Sequence, residues 1–127
     1  MSDTATKIIN LLERLSVKAP KRCTREKKPH TPGQMVVFYE GSWWGVIHDN
    51  QIYPHCFSDI LYAVLEEAHS RGWEWRTTQS RDGWRLINSE WDTLANVPSN
   101  KGGILEEEFL PRLECLVLSL ENTVLDR

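Results

Sequence analysis

Residues 35–40 (MVVFYE) and 43–48 (WWGVIH) are two short runs of β-branched and aromatic residues on either side of a Gly-Ser pair. Runs of this kind around a two-residue turn predict a tight β-hairpin. Successive side chains of a strand point to opposite faces, so Trp43 and Trp44 must lie on different sides of the sheet. At least one of these indoles is therefore expected outside the main core.

Three other segments have the apolar spacing of amphipathic helices, in which residues three and four apart share a face. The predicted helices are residues 4–16 with Ile8, Leu11, Leu12 and Leu15 on one face, residues 59–71 with Leu61, Val64, Leu65 and Ala68 buried and Glu66, Glu67 and Arg71 outward, and residues 111–125 with Leu113, Leu116, Val117, Leu120 and Val124 on one face. Ser58 is expected to cap the second helix, and Gly72 to end it in a left-handed conformation.

More β-structure is predicted around this helix. Residues 51–53 are expected to form a brief strand, and residues 73–78 a longer one that pairs with 84–87. A second interpretation stays open, because Trp84, Ile87, Trp91 and Leu94 also fit the spacing of one helix over 84–96. We favour a strand over 84–87 and then a short helix that Ser89 caps.

The order of these elements predicts an α+β fold, with a small antiparallel sheet of about 4–5 strands and helices packed on one face. Residues 16–33 contain three prolines and a dense basic cluster, which predicts an extended, exposed linker. We therefore expect an N-terminal helix and basic arm over 1–33, and an α+β body over 34–127.

Charge is distributed unevenly between these two parts. Residues 1–33 hold eight basic and three acidic side chains, a net charge of +5, whereas the rest of the chain carries −8. The basic side chains that could follow a nucleic-acid backbone are Lys18, Lys21, Arg22, Arg25, Lys27 and Lys28. Because the acidic body opposes the approach of phosphates, a small nucleic-acid-binding regulator or accessory factor is the alternative function and not the leading one.

Composition narrows the class of protein further. At 127 residues, with 40% hydrophobic and 26% charged residues, the chain resembles an ordinary globular domain. It contains no apolar run of the roughly 18 residues that a membrane span needs, and no signal peptide is recognised. The expected location is the cytoplasm. The three cysteines lie far apart, which favours free thiols over disulfides.

Reactive residue types are densest at His48, Asp49, His55 and Cys56. A cysteine just before a helix, with a histidine as base, could form a nucleophilic site, and a cysteine-dependent enzyme is the weakest of the three hypotheses. Cys23 and His30 do not have the close pairing of structural zinc ligands. The sequence predicts no catalytic residue, no metal ligand and no cofactor.

The chain has six tryptophans, and tryptophan is enriched in the hot spots of protein interfaces. The leading hypothesis is a non-enzymatic protein-binding module, such as an adaptor, an inhibitor or an immunity-type protein. Trp43 or Trp44, with Tyr53 nearby, would anchor a protein partner. A homo-oligomer formed through the N- or C-terminal helix is a further hypothesis, and no membrane partner is expected.

Overall fold

A computed structural model describes residues 3–25, 34–48, 51–52, 54–78, 82–99 and 108–122. The helices in these residues are α1 (Asp3–Lys18), α2 (Phe57–Ser70) and α3 (Leu110–Asn122). The strands are β1 (Cys23–Arg25), β2 (Met35–Tyr39), β3 (Ser42–His48), β4 (Gln51–Ile52), β5 (Glu74–Thr77), β6 (Gly83–Ile87) and β7 (Thr93–Pro98).

The predicted α+β class is confirmed. The strands form two antiparallel sheets, a four-stranded sheet of order β1-β2-β3-β4 and a three-stranded sheet of order β5-β6-β7. The chain forms two compact units, residues 1–63 and 64–127, which are described separately below. The division into an arm over 1–33 and a body over 34–127 stays a prediction.

The hairpin of the first unit is confirmed, and its turn lies one residue earlier than expected. Glu40 and Gly41 connect β2 to β3 with φ angles of 52° and 76°. Two successive positive φ values are typical of the type I′ turn, whose twist matches that of the flanking strands. The pairing places Val37 opposite Trp44 and Phe38 opposite Trp43.

Helix α1 is amphipathic as predicted, and Ile8, Leu12 and Leu15 are fully buried. Burying an aliphatic side chain of this size contributes about 1.5–3 kcal/mol, which explains why a helix too short to be stable alone is retained here. The thiol of Cys23 lies 3.6 Å from the carbonyl oxygen of Leu12, so the helix and β1 are in contact.

The prediction of an exposed linker over 16–33 is wrong for its first half. Residues up to Lys18 continue α1, and Cys23–Arg25 forms a strand whose residues pair with Met35–Val37 of β2. Cys23 is buried because it is small and apolar, and because β2 supplies the backbone hydrogen bonds that an extended chain would otherwise take from water. Residues 26–33 lie outside the described part of the chain.

Helix α2 begins at Phe57 after a single 3-10 turn, so the prediction that Ser58 caps it is wrong. Its buried residues are Ile60, Ala63, Val64, Glu67 and Ala68, a stripe rotated from the predicted one. Glu67 was expected to face outward, but it is buried. Arg71 donates to its carboxylate at 2.5 Å, and this ion pair offsets part of the cost of burying the charge. Gly72 follows the helix with a φ of 75°, as expected.

In the second unit, β5 and β6 form the predicted hairpin, but both interpretations of residues 84–96 are wrong beyond Ile87. Residues 88–92 form a tight loop, and Thr93–Pro98 is the third strand of the sheet. The chain reverses here because the side-chain oxygen of Asn88 accepts hydrogen bonds from the backbone N–H groups of Glu90 and Asp92. These bonds stabilise a turn at the expense of a helix.

Helix α3 begins at Leu110, and the predicted helix is confirmed as far as Asn122. Residues 123–125 of that prediction lie outside the described chain. The helix packs on the three-stranded sheet, and the thiol of Cys115 lies 3.5 Å from the carbonyl oxygen of Ala95. Its buried residues include Leu113, Leu116, Val117 and Leu120, which were predicted to share a face.

Candidate protein-binding surface

The two adjacent tryptophans of β3 both reach solvent. Trp43 is 60% exposed and Trp44 is 42% exposed, on opposite faces of the sheet. Large apolar side chains are usually left this open only singly, and exposed aromatic rings grouped together indicate a contact surface.

Trp44 belongs to such a group. Its ring stacks on Tyr39, with centroids 5.6 Å apart and an interplanar angle of 13°. Tyr39 in turn contacts Tyr62 of α2 at 5.5 Å and 57°. We call Tyr39, Trp44 and Tyr62 the aromatic patch. Tyr62 is 55% exposed, whereas Tyr39 is buried. The two exposed rings, those of Trp44 and Tyr62, therefore pack on a buried ring.

The central ring of the aromatic patch is held by a hydrogen bond. The Tyr39 hydroxyl donates to Oδ1 of Asp59 in α2 at 2.7 Å, which ties the sheet to the helix within the first unit. Burial, followed by this bond and the charge of Asp59, raises the pKa of Tyr39 to about 12. Tyr39 therefore stays protonated and keeps donating at physiological pH.

This arrangement makes the aromatic patch suitable for binding. Rings stacked on each other already have few accessible rotamers, so a partner does not need to order them. Tyrosine and tryptophan also combine a large apolar area with a polar group that can bond to a partner.

Sequence reasoning found part of this surface. At least one of Trp43 and Trp44 was expected outside the core, and both are exposed, whereas Tyr53 lies outside the described residues. Tyr39 and Tyr62 were not predicted as site residues. The available signal was that Tyr39 alternates with Val37 on β2, which places it beside Trp44 once the hairpin register is known.

The remaining tryptophans belong to the second unit and differ in exposure. Trp75 and Trp84 are half-buried and meet edge to face at 6.3 Å, and Trp73 is half-buried with the Arg71 guanidinium 5.3 Å from its ring. Trp91 is 72% exposed, more than any other described indole. The sequence did not single it out as a site.

Cys56 lies in the 3-10 turn that precedes α2. Its thiol is buried and donates to the carbonyl oxygen of Gly45 at 3.7 Å, while His55 is exposed. Asp49 and the side chain of His48 lie outside the described part of the molecule. The absence of catalytic residues stays a prediction.

The other two thiols are also buried. Burial raises the pKa of Cys23 to about 12, an effect that the charge of Arg25 partly offsets. Burial likewise raises the pKa of Cys115 to about 12. Both are therefore protonated and poor nucleophiles at neutral pH. Within the described residues, no cluster of three or more His, Cys, Asp or Glu side chains could hold a metal ion.

Two of the six basic side chains proposed to follow a nucleic acid have partners within the protein. Arg22 donates to the carbonyl oxygen of Phe38 at 2.6 Å, and Arg25 pairs with Glu13 at 2.6 Å. Lys18 and Lys21 are exposed. Lys27 and Lys28 lie outside the described residues.

Comparisons with protein-family models, with curated proteins and with solved structures find no match for this chain. Among the residues that the structure describes, none of the helices has both the length and the apolar character that crossing a membrane requires.

Proposed function

We propose that this protein is a non-enzymatic protein-binding module, of the kind represented by adaptors, inhibitors and immunity-type proteins, and that the aromatic patch is its contact surface. The observation that carries the proposal is the exposure of Trp44 and Tyr62 on a Tyr39 ring that is itself fixed to Asp59. A partner would cover the two open rings and gain most of its binding energy from them, as interface hot spots do.

Trp43 contributes a second anchor on the opposite face of β3. Its ring is the more exposed of the pair, and no stacking partner for it is seen among the described residues. A partner that wraps around the hairpin would reach both indoles, whereas a flat partner would reach only Trp44. Separate substitution of the two tryptophans distinguishes these cases.

The buried thiols give little support to the cysteine-dependent alternative. Cys23, Cys56 and Cys115 are all closed to solvent, so a nucleophilic attack on a substrate would first need local opening. Recognition of nucleic acid by the basic arm has less support, because Arg22 and Arg25 are already engaged with Phe38 and Glu13.

The test is site-specific photo-crosslinking. A benzophenone side chain replaces Tyr62 in the full chain, and crosslinked proteins are identified in the source cells by mass spectrometry. We expect a discrete product that disappears when Trp44→Ala is added. Val17→Ser is the matched control, because Val17 is an exposed apolar residue on α1, outside the aromatic patch.

A crosslinking pattern unchanged by Trp44→Ala would contradict the proposal. A product consisting only of this chain would assign the surface to self-association, and sedimentation velocity at several concentrations would then show a Trp44-dependent oligomer. Because the substituted side chains are exposed, the thermal midpoints of the variants should lie within a few degrees of that of the unsubstituted protein.

A further inference from the structure

Helix α3 packs on one face of the three-stranded sheet of the second unit. Trp75 and Trp84 point to the covered face, since Arg112 of α3 lies against both rings. The strand alternation therefore places Arg76 and Arg85 on the other face, where the register sets them directly opposite each other. We call this the outer face.

Two like charges opposite each other on adjacent strands repel and destabilise the sheet. Arg76 has compensating partners: it pairs with Glu74 at 2.8 Å and lies 5.3 Å from the centre of the Trp91 ring. The Nε group of Arg85 is buried and has no acceptor among the described residues. The row across the sheet continues to Asn96, another polar side chain. The outer face therefore has donors in excess of its acceptors.

Trp91 borders this row in an unusual conformation. Its φ is 67°, a left-handed value that a bulky residue adopts only under constraint. The constraint comes from Asn88, whose carbonyl oxygen accepts from the Trp91 N–H at 3.1 Å and whose N–H donates to the Asp92 carbonyl at 3.0 Å. A strained backbone that presents an exposed indole is a feature found at functional sites.

A cavity of about 270 Å³ lies beside the indole. It is lined by Gly72, Glu74, Ile87, Asn88, Ser89 and Trp91. Ile87 and the ring of Trp91 provide its apolar walls. The space is below the range of typical small-molecule pockets, and it suits one large side chain of a partner.

We propose that the outer face is a second binding surface, separate from the aromatic patch, and that it binds a peptide segment of a partner protein in which an acidic residue lies next to a large apolar one. The carboxylate bonds to Arg85 with Arg76 alongside, and the apolar side chain enters the cavity against Trp91. Guanidinium groups suit this role because their planar donors match a carboxylate in two-point contact.

Charge complementarity favours such a peptide over a nucleic acid. Glu74 lies on the outer face beside Arg76, and Glu90 and Asp92 lie in the Trp91 loop, so an extended chain of phosphates along this face would meet carboxylates as well as arginines. A single carboxylate needs contact only with the arginine pair. Charges of both signs on one face therefore favour a single anion over an extended polyanion.

The experiment is selection of a random ten-residue peptide library, displayed on phage, against the immobilised full-length protein. We expect the enriched peptides to share an acidic residue adjacent to a Phe, Leu, Ile or Trp. A synthetic peptide from this set should lose about tenfold or more in affinity on Arg85→Gln, because a charge-assisted hydrogen bond is removed. Trp91→Ala should cause a similar loss.

Three controls make the outcome specific. Arg14→Gln removes the same charge from an exposed position on α1 and should leave the affinity unchanged. Trp44→Ala alters the aromatic patch and should also have no effect, so this inference and the proposed function can fail independently. Changing the acidic residue of the peptide to its amide should weaken binding as much as Arg85→Gln does.

Two results would overturn the inference. In the first, the enriched peptides lack a common acidic residue, or they bind Arg85→Gln as tightly as the unsubstituted protein. In the second, a single-stranded oligonucleotide competes with the peptides at Arg85 and binds more tightly than they do, which would assign the outer face to nucleic acid.

Discussion

The guanidinium of Arg112 lies 3.8 Å from the centre of the Trp84 ring and 5.9 Å from that of Trp75, between α3 and the sheet beneath it. Glu108 pairs with it at 3.2 Å, while burial lowers its pKa from the usual value. The cation thus connects the helix to two half-buried indoles.

We expect Arg112→Ala to destabilise the protein by about 2 kcal/mol, because a partly desolvated cation–π contact and the packing of the arginine stem are both lost. Arg112→Lys keeps the charge but not the planar stacking, so its effect should be about half as large. Urea unfolding followed by tryptophan fluorescence measures both. Equal stability of the lysine variant and the unsubstituted protein would show that only charge matters here.

The Tyr39 hydroxyl gives stability a dependence on pH. Its pKa is raised to about 12 in the folded protein, above the value near 10 of an unfolded tyrosine, so the folded state holds this proton more tightly. The resulting stabilisation is complete below pH 10 and is lost as the pH rises towards 12. Tyr39→Phe lacks this contribution.

At neutral pH we expect Tyr39→Phe to cost about 1 kcal/mol through the lost hydrogen bond to Asp59. The difference in unfolding free energy between the two proteins should shrink between pH 10 and 12. Because lysines and other tyrosines titrate in both proteins, only this difference is informative. If the difference in unfolding free energy grew between pH 10 and 12, the raised pKa of Tyr39 would be contradicted.

Trp91 allows backbone strain to be measured separately from side-chain contacts. Trp91→Ala and Trp91→Gly remove the same indole, but only glycine adopts the φ of 67° without steric cost. The glycine variant should therefore be more stable than the alanine variant by about 1 kcal/mol. Equal thermal midpoints would mean that the loop relaxes once the indole is gone.

The pair formed by Arg76 and Arg85 predicts a gain of stability on substitution. Arg85→Gln removes a like charge from the position directly opposite Arg76 and should stabilise the sheet by about 0.2–1 kcal/mol. The increase should diminish at high salt, because Coulomb repulsion between exposed charges is screened. A destabilised Arg85→Gln would show that the arginine stem contributes more to packing than its charge costs.

Thiol reactivity tests the burial of the three cysteines. We expect Cys23, Cys56 and Cys115 to react slowly with a disulfide reagent at pH 8 in the folded protein, and all three to react fast in denaturant. The thiol pKa of about 12 for Cys23 and Cys115 predicts that little thiolate is present at this pH. One rapidly modified cysteine under native conditions would identify an open site.

Local signals in the sequence predicted those elements that depend on local interactions. The apolar spacing of α1, the hairpin around Gly41 and the end of α2 at Gly72 each follow from a few neighbouring residues. The strand β1 was missed because its hydrogen bonds come from β2, across a segment rich in proline and basic residues. Glu67 was placed outward because its ion pair with Arg71 was not considered.

The loop and strand after Ile87 show why periodicity alone misleads. Trp84, Ile87 and Trp91 fit a helical period, yet the Asn88 side chain reverses the chain between them. The sequence likewise predicted only part of the candidate protein-binding surface. Strand alternation predicts that at least one of Trp43 and Trp44 is exposed, whereas Tyr62 reaches the aromatic patch only through the packing of α2 against the sheet.

Strand β1 determines how the N-terminal arm can be studied. It pairs with β2 through Cys23–Arg25. A chain shortened past Arg25 would make β2 the edge strand of its sheet and leave its main-chain donors and acceptors without partners. An apolar edge strand of this kind can pair with another molecule. The truncated protein would then self-associate through this edge, whatever the charge of the arm. Replacing Lys18 and Lys21 by glutamine keeps β1 paired with β2 and changes only the charge of the arm.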